Sequence, residues 1–446
     1  MILQKNIVSM QIRFLNIFYV FSIIISSLFF TVSCQNSSLR EENSSAKTTI
    51  TWIVGSTIDK PMFEELVKKF EIEHPDIHIK LLWVPGVQYQ AKLKTLIAAR
   101  QTPDLFYCGD VWVAYLLPFL YDITEFVKRD AEEMDWNDIY PELQKACQHN
   151  GRYYYVPYWF NISLLYYNKA LFDEAEVNYP TPDWTWDDYI NAGIKLTKRD
   201  TKGNVISWGS NTIYGWWGEW LILVKQSGGN LFNEDITKCI LDSPEAIKGM
   251  QFYYDKIYKY KISPKPGYGP ENDFASGKLA MDYGGHTGLW IVYNKIPGLR
   301  WDIQILPRGP KTRSGGEVAV DALGISRTTK HPEVAWEFVK FMCSKEASRR
   351  YVKEGYLVVR KSIAKEMLAN RMKDYQPQNL EAVYEALKYA QPIPRSPNFI
   401  ELAIDIVQPD IDLMLIKGID VEKTCKKVTR SVNTFINTIG SGLKEK

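Results

Sequence analysis

Residues 155–172 read YVPYWFNISLLYYNKALF, and this run decides how the rest of the chain is organised. Its apolar and aromatic positions suit a buried strand, and a turn near Asn168 opens a short helix. Upstream, Asn150-Gly151-Arg152 is a turn signal feeding a Tyr-rich strand, which Pro157 interrupts. Proline donates no ladder hydrogen bond. A strand broken there and then resumed fits a crossing between two domains better than the centre of one sheet. The length agrees, because 446 residues exceed a single hydrophobic core.

Outward from this stretch, composition narrows the function classes. Hydrophobic content of 46% and charged content of 24% are ordinary for a globular protein. A formal net charge of +2 lacks the basic excess of a nucleic-acid binder, so no nucleic-acid partner is expected. The 14 Trp and 27 Tyr are the unusual feature. Cores are filled mainly by Leu, Ile, Val and Phe, so some of these amphipathic rings are expected to line a ligand surface and others to cap lobe surfaces.

The N-terminus reads as an address. Lys5 and Arg13 precede an apolar run from Phe14 to Val32, closed by Thr31-Val32-Ser33-Cys34, a secretory signal over residues 1–33. Its end resembles a lipobox, which implies that Cys34 is the lipid-modified first residue of the mature protein. The alternative is an uncleaved membrane anchor, since the run approaches bilayer-spanning length. Residues 34–47 then form a flexible polar tether. Cys108, Cys147, Cys239, Cys343 and Cys425 show no paired spacing, so no metal and no cofactor is expected, while a disulfide stays open. Cys108 and Cys343 read as small buried hydrophobes.

From Thr48 the chain alternates strand (48–54), helix (59–73), strand (77–83), helix (89–100) and strand (102–107), the rhythm of a parallel sheet. Ligands bind beyond the carboxyl ends of such strands. That places Ser56 in Gly55-Ser56-Thr57, Trp83, and Asp110 and Trp112 in Cys108–Trp112 along one edge. Thr124 is the expected N-cap of the next helix, and Thr185 that of another whose first turn carries Asp187 and Asp188. Capping explains these carboxylates more simply than acid/base catalysis. Residues 211–220, NTIYGWWGEW, are the densest aromatic cluster, and Gly215 and Gly218 flank Trp216 and Trp217 in a loop suited to presenting flat rings. Trp217→Ala is then expected to weaken ligand binding and spare stability.

Several motifs in order carry a family resemblance. They are "G-x-x-Y-x-x-P" with "L-Y-Y-N-x-x-x-F" at 151–172, "F-E-x-x-H-P-D-I-H-I" at 70–79 and "T-P-D-L-F" at 102–106. "F-x-x-G-K-x-A-M" follows at 274–281 and "P-E-x-A-W-x-F-x-K-F" at 332–341. From about Thr48 to its end the chain resembles the family 1 extracellular solute-binding proteins, ligand-capturing subunits of ABC importers. The resemblance implies an α/β, two-lobe periplasmic-binding-protein-like fold (type II). Each lobe would be a mostly parallel sheet flanked by helices, with the ligand cleft between lobes. Lobe 1 would comprise 48–157 plus about 322–385, and lobe 2 158–321 plus about 386–446.

It also implies an exported, lipid-anchored monomer that captures a neutral mono- or oligosaccharide and delivers it to ABC permease subunits. Tyr158, Trp216 and Trp217 would stack on sugar rings. Asp110 and Asp321, the latter just before a strand, would accept hydroxyl bonds. Ser56 and Trp112 would join them, with Gly285 and His286 in a loop over 282–290 where the family places ligand contacts. His286 reads equally as a histidine that only holds its loop, and Trp336 as packing. Two alternatives stay open: an exported carbohydrate-active enzyme, and a surface adhesin or sensor lipoprotein on the same fold. No acid and nucleophile are convincingly placed, and G-x-S-x-G and H-E-x-x-H are absent.

Overall fold

The computed structural model describes residues 47–55, 59–213, 215–267, 274–313, 316–370, 376–396 and 398–442. The expected signal segment, tether, Cys34 and Ser56 lie outside these residues. Twelve strands occur among those described: β1 (Thr48–Val54), β2 (Ile77–Trp83), β3 (Leu105–Gly109), β4 (Gln148–His149), β5 (Arg152–Tyr153), β6 (Tyr155–Asn168), β7 (Lys198–Arg199), β8 (Val205–Ser207), β9 (Met281–His286), β10 (Trp301–Gln304), β11 (Val318–Ile325) and β12 (Leu357–Val358). β4–β5 and β7–β8 are small hairpins, and the other eight strands form one sheet.

The organising run is β6, 14 residues long and buried almost throughout. Pro157 does not interrupt it. β6 absorbs the irregularity as a bulge instead: Asp321 of β11 pairs with Trp159 and Ala322 with Pro157, so Tyr158 is its extra residue. Its first half pairs with β11 and β12, and its second half with β9 and β10, all antiparallel. Parallel pairing among the described strands is confined to β1 with β2 and β1 with β3.

Two buried clusters divide the molecule along β6. One collects Ile50, Trp52, Phe63, Phe106, Tyr158, Trp159 and Trp336 around β1–β3 and the first half of β6. The other collects Leu165, Tyr167, Tyr189, Trp217, Trp220, Met250 and the C-terminal Val428 and Val432. The change falls where side chains alternate across the strand: Leu164 and Tyr166 belong to the first cluster, Leu165 and Tyr167 to the second. Through Tyr166, the rings of Phe274, Tyr293 and Trp301 also join the first.

Local chemistry sets the element ends. Asn168 caps the helix Lys169–Glu174 by accepting from the amides of Ala170 and Leu171. Thr185 and Asp188 form a reciprocal capping box on the helix Trp186–Leu196, which accounts for that carboxylate without catalysis. Thr124, expected as a cap, is instead the first helical residue. Ile123 holds the cap position, and Asp122 accepts from the Thr124 amide and hydroxyl, because a carboxylate two residues ahead reaches both donors. Trp336 is buried and its indole donates to Asp130, a packing role as expected. The five cysteines at 108, 147, 239, 343 and 425 are free and buried. Burial pushes the Cys108 and Cys343 thiols up, so both stay neutral and behave as small hydrophobes.

Candidate functional site

Three strands converge on one buried carboxylate. Asp321 lies in the middle of β11, not ahead of it, opposite Gly109 at the end of β3 and Trp159 in β6. The expectation that it precedes the strand fails because the apolar, β-branched run Val318–Ile325 continues through it. One carboxylate oxygen accepts from the Tyr107 hydroxyl. The other accepts from the Trp159 indole at 2.6 Å and the Asn161 amide at 3.2 Å. Removal from water pushes the Asp321 pKa up and the charge of Asp59 adds to this, while the three donors pull it back, leaving it at about 6.

From this carboxylate a polar chain runs towards β9. Asn161 accepts at its Oδ1 from the Thr287 hydroxyl at 3.3 Å, and the same hydroxyl oxygen accepts from the Ile162 amide. Thr287 directly follows β9, whose last residue, His286, pairs with Ser163. Trp159 and Ser163 are four residues apart on β6, about 13 Å at the usual strand rise of about 3.3 Å per residue. The His286 carbonyl accepts from the Tyr166 hydroxyl at 2.8 Å, while its buried Nε2 has no partner among the described residues. Trp290, just beyond, donates to the Gly355 carbonyl at 2.6 Å and brings the chain after β9 against the approach to β12.

The aromatic segment 211–220 is fixed at both ends, to β9 through Asn211 and to Lys256 through Glu219. Asn211 donates to Asp282 at 2.7 Å and to the Tyr283 carbonyl, and accepts from the Tyr283 amide. Glu219 accepts from the Ile213 amide at 2.9 Å and forms a fully buried ion pair with Lys256. The Lys256 ammonium lies 5.6, 5.8 and 5.6 Å from the ring centres of Tyr189, Tyr253 and Tyr283. Desolvation dominates both partners, raising the Glu219 pKa and lowering that of Lys256 despite their attraction.

The expected site residues fall into three groups. Asp321 and His286 belong to the junction just described, and Asp110 and Trp112 open the helix Asp110–Leu116 one and three positions beyond Gly109. Trp216, 36% exposed, stacks on Trp217 at 3.7 Å and presents its outer face. Tyr158 and Trp217, expected to offer rings to a ligand, are each 1% exposed instead. Tyr158 packs edge-on against Trp159 and Phe63, and Trp217 lies between Trp216 and Phe399. Gly285 is in β9 rather than in a loop. A Cβ there would sit 2.9 Å from both Asp282 and the Tyr166 ring, so this glycine permits close packing within the protein.

Sequence reading missed Tyr107, Trp159, Asn161 and Thr287. Asn161 carried a signal, a polar amide between Phe160 and Ile162 in an otherwise apolar strand. The others had none, because only the strand pairing brings them together.

The family profile described as "Bacterial extracellular solute-binding protein" matches residues 55–349. This chain belongs to that family. The solute-binding protein is 24% identical over 392 residues to the maltotriose-binding protein of Pyrococcus abyssi, covering 83% of this chain and 78% of that one. It is 27% identical over 337 residues to the arabinooligosaccharide-binding protein of Bacillus subtilis, covering 70% and 72%. In structure it resembles an ABC substrate-binding protein of Listeria monocytogenes in complex with cycloalternan, with a TM-score of 0.74, 27% identity, and coverage of 88% and 99%. The fold is thus the two-lobed α/β architecture of the periplasmic binding proteins. The family and these relatives are binding proteins. In this solute-binding protein the junction of the two cores offers amide and hydroxyl groups, a carboxylate and aromatic rings, a set suited to reversible capture of a polar ligand with apolar faces.

Proposed function

We propose that the chain is the receptor of an ABC importer that captures a neutral mono- or oligosaccharide between its lobes and delivers it intact to the permease. One observation carries the reading. A hydrogen-bonded chain of Asp321, Asn161 and Thr287 links β11 and β6 to the end of β9, with the Trp159 indole bonded to the same carboxylate. Neutral amide and hydroxyl groups discriminate sugar hydroxyls, because a wrong epimer leaves a buried group unpaired. The oligosaccharide names of the two relatives support the same ligand class.

In this reading lobe 1 comprises 48–157 plus about 322–385, lobe 2 comprises the rest from 158, and β6 and β11 run through the hinge. Ser56, Asp110, Trp112, Trp216 and His286 face the ligand, and Asp321 acts through Tyr107, Trp159 and Asn161. Closure is driven only by the difference in affinity between closed and open forms. The protein works as a monomer held to the outer face of the cell membrane by lipid on Cys34, and it does not alter its ligand. Thermal unfolding against mono- and oligosaccharides, polyols and peptides tests this. A ligand at about 100 times its dissociation constant adds about 2.7 kcal/mol of stability. Stabilisation by a group of related sugars recovered intact supports the receptor. Release of reducing ends, or stabilisation by peptides alone, overturns it.

A further inference from the structure

A cavity of about 630 Å³ opens where the chain makes one of its passages between the two cores. Leu387 belongs to the first buried cluster and Ile393 to the second, so residues 387–393 cross from one to the other. Gln391 in this crossing lies parallel to the start of β11. Its amide donates to the Gly316 carbonyl at 3.0 Å, and its carbonyl accepts from the Val318 amide at 3.3 Å. The cavity is bounded by this crossing, the helix Pro141–Ala146 and the hairpin β4–β5. None of its lining residues belongs to the junction around Asp321. Val318 and Asp321 are three positions apart on β11, an odd spacing that turns their side chains to opposite faces of the sheet. Volumes of about 300–1,000 Å³ are usual for small-molecule sites.

The charge on its walls is one-sided. Lys145, Lys388 and Arg395 line it against a single carboxylate, Glu142. Lys388 pairs with Glu385 at 2.6 Å, whereas Lys145 and Arg395 have no carboxylate partner among the described residues. The half-buried Arg395 guanidinium donates to the Gln148 carbonyl and, at 2.6 Å, to the Ala146 carbonyl. The Ala146 carbonyl also accepts from the Tyr155 hydroxyl at 2.7 Å. Carbonyls fix the direction of the guanidinium but carry no net charge, so its positive charge stays uncompensated. A guanidinium has five N–H donors, so some remain for a ligand beyond these two bonds. Gln148, Asn150 and Gln391 add neutral amides to the lining.

We propose that this cavity is a second ligand site, which takes a small molecule bearing anionic oxygens, as in a phosphate or a polycarboxylate. The inference is independent of the carbohydrate reading. Arg395 supplies a fixed planar fork from the crossing, and Lys145 a point charge from the helix Pro141–Ala146. Hydrogen bonds from such cations to anionic oxygens are roughly twice as strong as neutral ones. A neutral saccharide gains nothing from uncompensated charge, so this site and the carbohydrate site differ in ligand class. Glu142 opposes an anion, which gives the electrostatics a sign that can be tested.

The test is calorimetric titration of the protein with inorganic phosphate and, separately, with citrate. It is run at about 0.15 M salt, where contacts with scattered exposed charges are screened. Lys145→Glu, Glu142→Gln and Lys423→Glu are titrated in the same way, with urea unfolding of each. Lys145 and Lys423 are both exposed, and Lys423→Glu makes the same change in net charge on the C-terminal helix, outside the cavity. The expected result is a dissociation constant below about 1 mM for at least one anion. It should rise about tenfold or more in Lys145→Glu, fall about twofold or more in Glu142→Gln, and stay within about twofold in Lys423→Glu. Binding of phosphate alone identifies the ligand as a phosphate, and binding of citrate alone as a polycarboxylate. A dissociation constant above about 1 mM for both anions overturns the inference. So does equal weakening by Lys145→Glu and Lys423→Glu.

Discussion

Two of the buried carboxylates, Glu219 in the second core and Asp321 where the two cores meet, are accommodated by opposite means. Glu219 faces an ammonium, Lys256, sealed within tyrosine rings. Asp321 faces only neutral donors, from Tyr107, Trp159 and Asn161. Burial raises the pKa of both. Glu219 accepts from both the Ile213 amide and Lys256, so the ion pair joins the segment at Ile213 to the helix Pro244–Tyr258. The neutral set leaves rings and amides at the edge of a junction, where they can also meet a ligand. A charged partner thus fixes Glu219 within the second core, whereas neutral partners hold Asp321 at the junction.

The largest effect should come from breaking the scaffold. Lys256→Met leaves Glu219 buried and unpaired, and a loss of about 3–5 kcal/mol is expected in urea unfolding. A loss below about 1 kcal/mol would remove the distinction between the two carboxylates. Trp217→Ala is expected to cost about 3 kcal/mol or more, as for other buried large rings, because Trp217 lies in the second core. That reverses the outcome the sequence suggests for this ring, and near-native stability of the variant would restore it as a ligand face.

At the junction the expected effects are smaller and depend on pH. The folded-state pKa of Asp321 lies above its ordinary value, at about 6. Its contribution is then fully present below about pH 4 and is lost as pH rises through about 6. Relative to Asp321→Asn, the wild type should gain on the order of 1 kcal/mol of stability between pH 7 and pH 5. Parallel pH profiles of the two proteins would mean that Asp321 does not titrate there. The smallest effect on stability is expected for Trp216→Ala, within about 0.5 kcal/mol, since its outer face is exposed. A weaker saccharide affinity without loss of stability would set Trp216 apart from Trp217, its neighbour in sequence.

The elements that sequence determined are those specified by near neighbours. Strand β1 and β2 begin and end where their apolar runs do, and Asn168 and Thr185 cap their helices with side chains that reach amides two or three residues on. The ordered motifs likewise identified the family, because they record such local geometry repeatedly along the chain. What only the tertiary structure decided is which face each ring turns. Tyr158 and Trp217 sit in sequence beside Trp159 and Trp216, and nothing local distinguishes them. The bulge opposite Asp321 turns Tyr158 into the core, and packing on Phe399 does the same for Trp217. The bond from Trp159 to Asp321 spans 162 positions, and the one from Tyr356 to Asp59 spans 297. Periodicity and capping act within about one helical turn or strand pair, so contacts between residues this far apart leave no local trace. They exist only once β6 has been threaded through both cores.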